Sequence, residues 1–97
     1  MVNQLIHIKR MVIDALKPRE TTILDLSKAL CLIKGVDEVE TTVTEVDVKT
    51  ETIKLIIKGR DINYEDIVKI MQENSAVIRS VDEINVSKAS EETDALE

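Results

Sequence analysis

Thr41-Thr42-Val43-Thr44-Glu45-Val46-Asp47-Val48-Lys49-Thr50-Glu51-Thr52-Ile53-Lys54-Leu55-Ile56-Ile57-Lys58 is the stretch on which the fold turns. Thr41 to Val48 is rich in β-branched residues, which suit a pleated strand. Ile53, Leu55 and Ile57 alternate with Lys54 and Lys58, the period-two signature of a strand with one buried face. Val36 to Lys58 therefore reads as a β-hairpin. Lys49-Thr50-Glu51-Thr52 is the expected turn; without Gly it requires more than a tight two-residue connection. The inward phase shifts between Val43 and Val46, which predicts a bulge.

The hairpin is flanked on both sides by a helix and then a strand. Upstream, Thr22 is the expected N-cap of a helix, with Asp25 three residues on. Leu26, Ala29, Leu30 and Ile33 form its apolar stripe, and Gly35 is placed to end it in a left-handed conformation. Before it, Ile6 to Leu16 alternates as a strand that Pro18 terminates. Downstream, Gly59 breaks the hairpin and Asn63 caps a second helix, with Ile62 and Ile67 at the spacing of a hydrophobic staple. Tyr64, Ile67, Val68 and Met71 make its stripe, Asn74 and Ser75 end it, and Val77 to Val86 is the last strand. The order β-α-β-β-α-β with right-handed crossovers predicts an α+β, ferredoxin-like sandwich. In that fold a four-stranded antiparallel sheet of order 4-1-3-2 carries two helices on one face. The expected division is one domain over residues 1–86, followed by a disordered acidic tail over 87–97.

Composition bounds the function. The chain has 97 residues, room for one domain. Its formal charge is −6 and Tyr64 is its only aromatic. It lacks both the basic field and the stacking rings of a nucleic-acid site. One Cys and one His exclude an intrachain disulfide, a zinc cluster and a multi-His site. No apolar run reaches membrane-spanning length and no signal peptide is visible, so the expected location is cytoplasmic. With two glycines in the whole chain, no glycine-rich phosphate cradle can be built.

The sheet face without helices is expected to carry Val12, Leu16, Ile56 and either Ile78 or Ile84. An uncovered apolar face implies a partner, for which a second copy of the chain is the simplest choice. The other candidates are acidic. Asp14, Glu20, Glu45, Asp47 and Glu51 gather toward one end of the sheet. Such a cluster suits either a solvated edge that blocks strand pairing or a hard cation such as Ca²⁺ or Mg²⁺. Asp82 and Glu83 interrupt the apolar run of the last strand, and Arg10 on the neighbouring strand is the expected partner of Asp82. Cys31, beside Leu30 and Leu32, is expected to be a buried, inert thiol, and His7 is expected to be exposed. Lys17, Arg19 and Arg79 could meet around an anion, although the acids nearby oppose it. No serine lies in a nucleophile-elbow context.

Three segments carry a resemblance. Asp14-Ala15-Leu16-Lys17-Pro18-Arg19-Glu20 is similar to D-x-L-K-P-H-E. Glu45-Val46-Asp47-Val48-Lys49-Thr50-Glu51-Thr52-Ile53-Lys54 is similar to E-I-D-x-x-T-E-N-I-K. Ile78-Arg79-Ser80-Val81-Asp82-Glu83-Ile84 is similar to I-H-S-V-D-E-V. In order and at matching separations over residues 6 to 86, they resemble the archaeal family numbered 211 among the domains of unknown function. The resemblance implies a ferredoxin-like fold, a homo-oligomer in the form of a ring, no assigned activity, and an association with calcium. The matching carboxylates that would serve it are Asp14, Glu20, Glu45, Asp47, Glu51, Asp82 and Glu83. Arg19 and Arg79 stand where the pattern has histidines, and Ser75-Ala76 where it has two glycines. The first expectation is therefore a non-enzymatic oligomer with a possible divalent-cation site. The alternative is a small-molecule-sensing regulatory domain with its ligand at a subunit interface, and an enzyme of carboxylate chemistry is the third class.

Overall fold

The computed structural model describes residues 5–88. Six elements follow in the expected order. They are β1 (Ile6–Pro18), α1 (Ile23–Cys31), β2 (Val36–Val46), β3 (Thr50–Gly59), α2 (Tyr64–Glu73) and β4 (Val77–Lys88). The sheet order is β2-β3-β1-β4, with every neighbouring pair antiparallel.

Both helices start at the caps that sequence reading picks out, whereas α1 ends at Cys31 with Leu32 as its C-cap, short of the expected stop at Gly35. The Thr22 hydroxyl accepts from the Asp25 N–H at 3.0 Å, and the Asn63 side chain accepts from Glu65 N and Asp66 N. Each cap satisfies amides that have no partner within the helix. At the end of α2, Ser75 N–H donates to Gln72 O and Ala76 N–H to Met71 O, the two bonds of a Schellman motif. Ser75 holds the left-handed position at φ 61°, where glycine is the usual residue. Gly35, at φ 92°, turns the chain from α1 toward β2. A Cβ on Gly35 would lie 2.3 Å from Asp61 O, and one on Gly59 would lie 2.0 Å from Gly35 O. Both glycines of the chain thus serve one backbone crossing.

The core lies between the helices and one face of the sheet. Met11, Ile13 and Ala15 of β1 and Ile53, Leu55 and Ile57 of β3 supply the sheet side. Leu26 and Leu30 of α1 and Ile67 and Met71 of α2 cover them. The α1 stripe is shorter than expected: Ala29 is only partly buried, and Ile33 lies past the helix end at Cys31. Cys31 is exposed, contrary to the expected buried thiol. One residue along a helix is a rotation of about 100°, which carries Cys31 off the line of Leu26 and Leu30.

The hairpin turn comes earlier than expected. Asp47 to Lys49 connect the strands, with Asp47 N–H donating to Thr50 O at 2.8 Å. Asp47 Oδ1 accepts from Val48 N–H at 2.8 Å, and none of residues 47–49 has a positive φ, so this three-residue turn needs no glycine. Thr50 and Glu51 are strand residues, paired with Pro18 and Lys17. The register of β2 on β3 shifts between Val43 and Glu45, where the bulge was predicted.

β4 departs most from simple alternation. Its pairing with β1 shifts at three places, two of which leave an extra residue on β4, namely Arg79 and Asp82. Ile78, Val81 and Ile84 therefore oppose Ala15, Ile13 and Met11, all of which face the helices. This corrects the placement of Ile78 or Ile84 on the helix-free face: strict period two fails because each bulge resets the phase. The strand also runs two residues beyond Val86, pairing Ser87 with His7 and Lys88 with Ile6. The rest of the expected tail lies outside the described residues.

Candidate functional site

The helix-free face is built from cross-strand rows. One row joins Glu40, Ile56, Val12 and Glu83, and its neighbours contribute Lys58 and Arg10 on one side and Lys54 and Asp14 on the other. Val12 is only 3% exposed although no helix covers it. Arg10, Lys54 and Lys58 stand in the adjoining rows, and their aliphatic stems are long enough to cover it with the heads in water. Leu16 and Ile56 are half-buried. The aliphatic surface expected here is thus largely screened by ion pairs.

Ion pairs take up three of the seven candidate carboxylates, Asp14, Glu51 and Glu83. Asp14 accepts from Arg79 Nε at 3.1 Å, and Glu83 accepts from Arg10 Nη1 at 2.8 Å. Arg10 thus pairs with Glu83 rather than with Asp82, because the bulge moves Asp82 out of register. Asp82 instead accepts from the Ser80 hydroxyl at 2.8 Å. Glu51 lies 2.5 Å from Lys17 Nζ, and that lysine side chain is 1% exposed. Asp47 is occupied with its own turn. Glu20 and Glu45 are exposed and, like Asp47, have no ion-pair partner among the described residues.

The acids do lie toward the same end of the sheet. Glu45, Asp47, Leu16, Thr50, Thr52 and Arg79 line an open cavity of about 520 Å³ there. Among the described residues, however, no three side chains of His, Cys, Asp and Glu come together as a metal-binding group. The three basic residues weighed as an anion site are divided. Lys17 is committed to Glu51 and Arg79 to Asp14, while the Arg19 backbone N–H donates to Lys49 O at 3.0 Å. His7 is half-buried rather than exposed, with Nδ1 3.2 Å from Asp61 Oδ1.

Sequence reading missed the buried pair of Lys17 and Glu51. Its signal was present: Lys17 continues the inward phase of Met11, Ile13 and Ala15, and Glu51 that of Ile53. Two opposite charges in phase with two apolar faces is the arrangement in which burial is tolerable.

Four of the exposed large aliphatics lie on β4: Val81, Ile84 and Val86, on the helix side, are 41%, 55% and 49% exposed, and Val77, opposite Leu16, is 60% exposed. β4 is an edge strand, and α2 only partly covers it. A groove of about 270 Å³ runs between the two, lined by Tyr64, Val68, Met71, Ala76, Val77 and Ile78 among others. The chain's single aromatic sits in this groove.

Comparison with known sequences agrees with the segments that carry the resemblance. The DUF211 family, described as uncharacterised ArCR, matches residues 9–95. The chain belongs to this family. An uncharacterised protein of Methanocaldococcus jannaschii is 36% identical over 81 residues, which cover 84% of each chain. In this DUF211 chain the arginine at position 79, where the pattern has histidine, is an ion-pair partner of Asp14. No helix among the described residues is long and apolar enough to cross a membrane.

Proposed function

We propose that this DUF211 protein is a non-enzymatic, cytoplasmic, self-associating protein of the ferredoxin-like sandwich type. Its contact surface is the aliphatic margin of β4 and the adjoining groove against α2. The observation that carries this reading is the distribution of exposed aliphatics. Four of the nine exposed large aliphatics lie on one edge strand, more than on any other element, near the only aromatic ring, while the helix-free face carries two charged pairs. An apolar strip on an edge strand is the kind of surface a soluble chain covers with a partner. Light scattering over a range of concentrations tests it. Masses at multiples of 10.9 kDa are expected, and a monomer at about 100 μM, where even weak homodimers populate, overturns it.

A Ca²⁺ or Mg²⁺ site on this protein draws on Glu45 and Asp47, the two unpaired carboxylates that line one cavity at the hairpin end. Two carboxylates fall short of the six to eight oxygens that Ca²⁺ takes, so such a site is completed by a second subunit and disappears with the assembly. Calorimetry with Ca²⁺ on wild type and Asp47→Asn tests it: heat in the first and none in the second is expected, and no heat in either overturns it. The alternative, a sensor of small molecules at the subunit interface, draws on the groove beside Tyr64. At about 270 Å³ that groove is slightly smaller than ordinary ligand sites.

A further inference from the structure

The cavity at the hairpin end carries charges of both signs on opposite walls. Glu45, Asp47, Leu16, Thr50, Thr52 and Arg79 enclose about 520 Å³ there. Glu45 on β2 pairs with Thr52 on β3, and Thr52 pairs with Leu16 on β1. One row of the sheet thus runs from an acid through a hydroxyl to an aliphatic side chain. Arg79 closes the far side from β4, where its bulge position lets it reach Asp14. Glu45 and Arg79 stand on the two edge strands, three interstrand spacings or about 14 Å apart at the backbone. They do not pair with each other.

Both walls keep unused capacity. Glu45 and Asp47 have no ion-pair partner among the described residues, and Asp47 commits only Oδ1, to Val48 N–H. Arg79 meets Asp14 through Nε, which leaves both Nη groups, and its side chain is 49% exposed. Between the walls Thr52 is buried and Leu16 half-buried, so the floor is set into the sheet. A simple ion uses half of this arrangement. A metal cation on the carboxylates leaves the guanidinium idle, and an inorganic anion on Arg79 lies beside Asp14 and faces two further acids.

We propose that this cavity binds a small zwitterion, a free aliphatic amino acid. Its ammonium takes Glu45 and the second oxygen of Asp47. Its carboxylate takes the Nη groups of Arg79 in the forked geometry that a guanidinium offers. Its side chain lies on Leu16 and Val46. Molecules with a single charge leave one wall unpaired, so the same arrangement discriminates against them. The site lies within one chain; it goes beyond the self-association proposed above and does not depend on it. It shares Glu45 and Asp47 with the cation reading and differs from it in using Arg79.

Titration of the full chain with free leucine, followed by amide NMR shifts, tests the proposal. Thr50 and Thr52 are expected to shift, with half-saturation at about 1 mM or below, in keeping with a ligand of so few atoms. Two analogues test the walls on the unchanged protein. Isocaproate lacks the ammonium and isoamylamine lacks the carboxylate, and each is expected to bind at least about tenfold more weakly. Glu45→Gln and Arg79→Gln are expected to weaken leucine binding by a similar factor. Arg10→Gln, which removes the other ion pair of this face outside the cavity, is expected to leave it unchanged. No shift with leucine, isoleucine or valine overturns the proposal. So does isoamylamine binding as well as leucine, or Arg79→Gln binding as well as wild type, since either shows a cation site only. Heat with Ca²⁺ but no shift with any of the three amino acids removes this site and leaves the cation reading standing. Leucine binding by a chain that stays monomeric removes self-association and leaves this site standing.

Discussion

β3 and β4 are the two neighbours of β1, and they meet it in opposite ways. The β1–β3 register runs from Arg10 with Lys58 to Pro18 with Thr50 without a shift, and Ile53, Leu55 and Ile57 are fully buried. The β1–β4 register shifts three times, and most of β4 remains exposed. A central strand is held on both sides and covered by helices, so its side chains must alternate strictly. An edge strand has one free side, so a bulge costs it little and redirects side chains that would otherwise face the wrong way. The comparison separates stability from recognition: β3 anchors the fold, and β4 presents a surface.

The contrast can be broken or sharpened by substitution. Leu55→Ala on β3 removes a fully buried side chain among α1, α2 and β1, and is expected to cost about 3 kcal/mol in denaturant unfolding. Glu51→Ala, at the end of the same strand, leaves Lys17 buried without its partner. Because the Glu51 side chain retains 19% exposure, the expected loss is about 2 kcal/mol, near the lower end for breaking a buried pair. Ile84→Ala on β4 is expected to cost under about 1 kcal/mol in the same assay, since the residue is 55% exposed. It should nonetheless weaken self-association. A loss equal to that of Leu55→Ala would erase the distinction between the two strands. The smallest effect is a gain. Ser75→Gly relieves the left-handed φ before β4 but adds freedom to the unfolded chain, and the balance is expected to stabilise by about 0.5 kcal/mol. A measured loss would show that the serine side chain contributes more than its backbone conformation costs.

The same contrast explains what could be read from the sequence. β3 was legible because Ile53, Leu55 and Ile57 alternate with lysines and nothing interrupts the phase. The helix caps at Thr22 and Asn63 were legible because their chemistry is local. β4 was legible as a strand but not in its facing. Ile78, Val81 and Ile84 are three residues apart, and only the bulges at Arg79 and Asp82 bring them to one face. The turn at Asp47 was misplaced because none of its residues has a positive φ, so no glycine marks it. Among the site candidates, the acids gather at the predicted end of the sheet. Their partners, Arg79 for Asp14 and Lys17 for Glu51, depend on register, which hydrophobic periodicity alone does not specify.

The crossing of Gly35 with the strand end at Gly59 also bears on how the chain finds its structure in time. Gly35 O accepts from both Arg60 N and Asp61 N, so the base of the β2–β3 hairpin is tied by contacts that close a loop little longer than the hairpin itself. Closing a short loop loses less chain entropy than joining the two ends of the chain, as the pairing of Ile6 with Lys88 requires. The hairpin can therefore form early as a unit that β1 joins. β4 pairs last, since its contact with β1 joins the residues farthest apart in the chain.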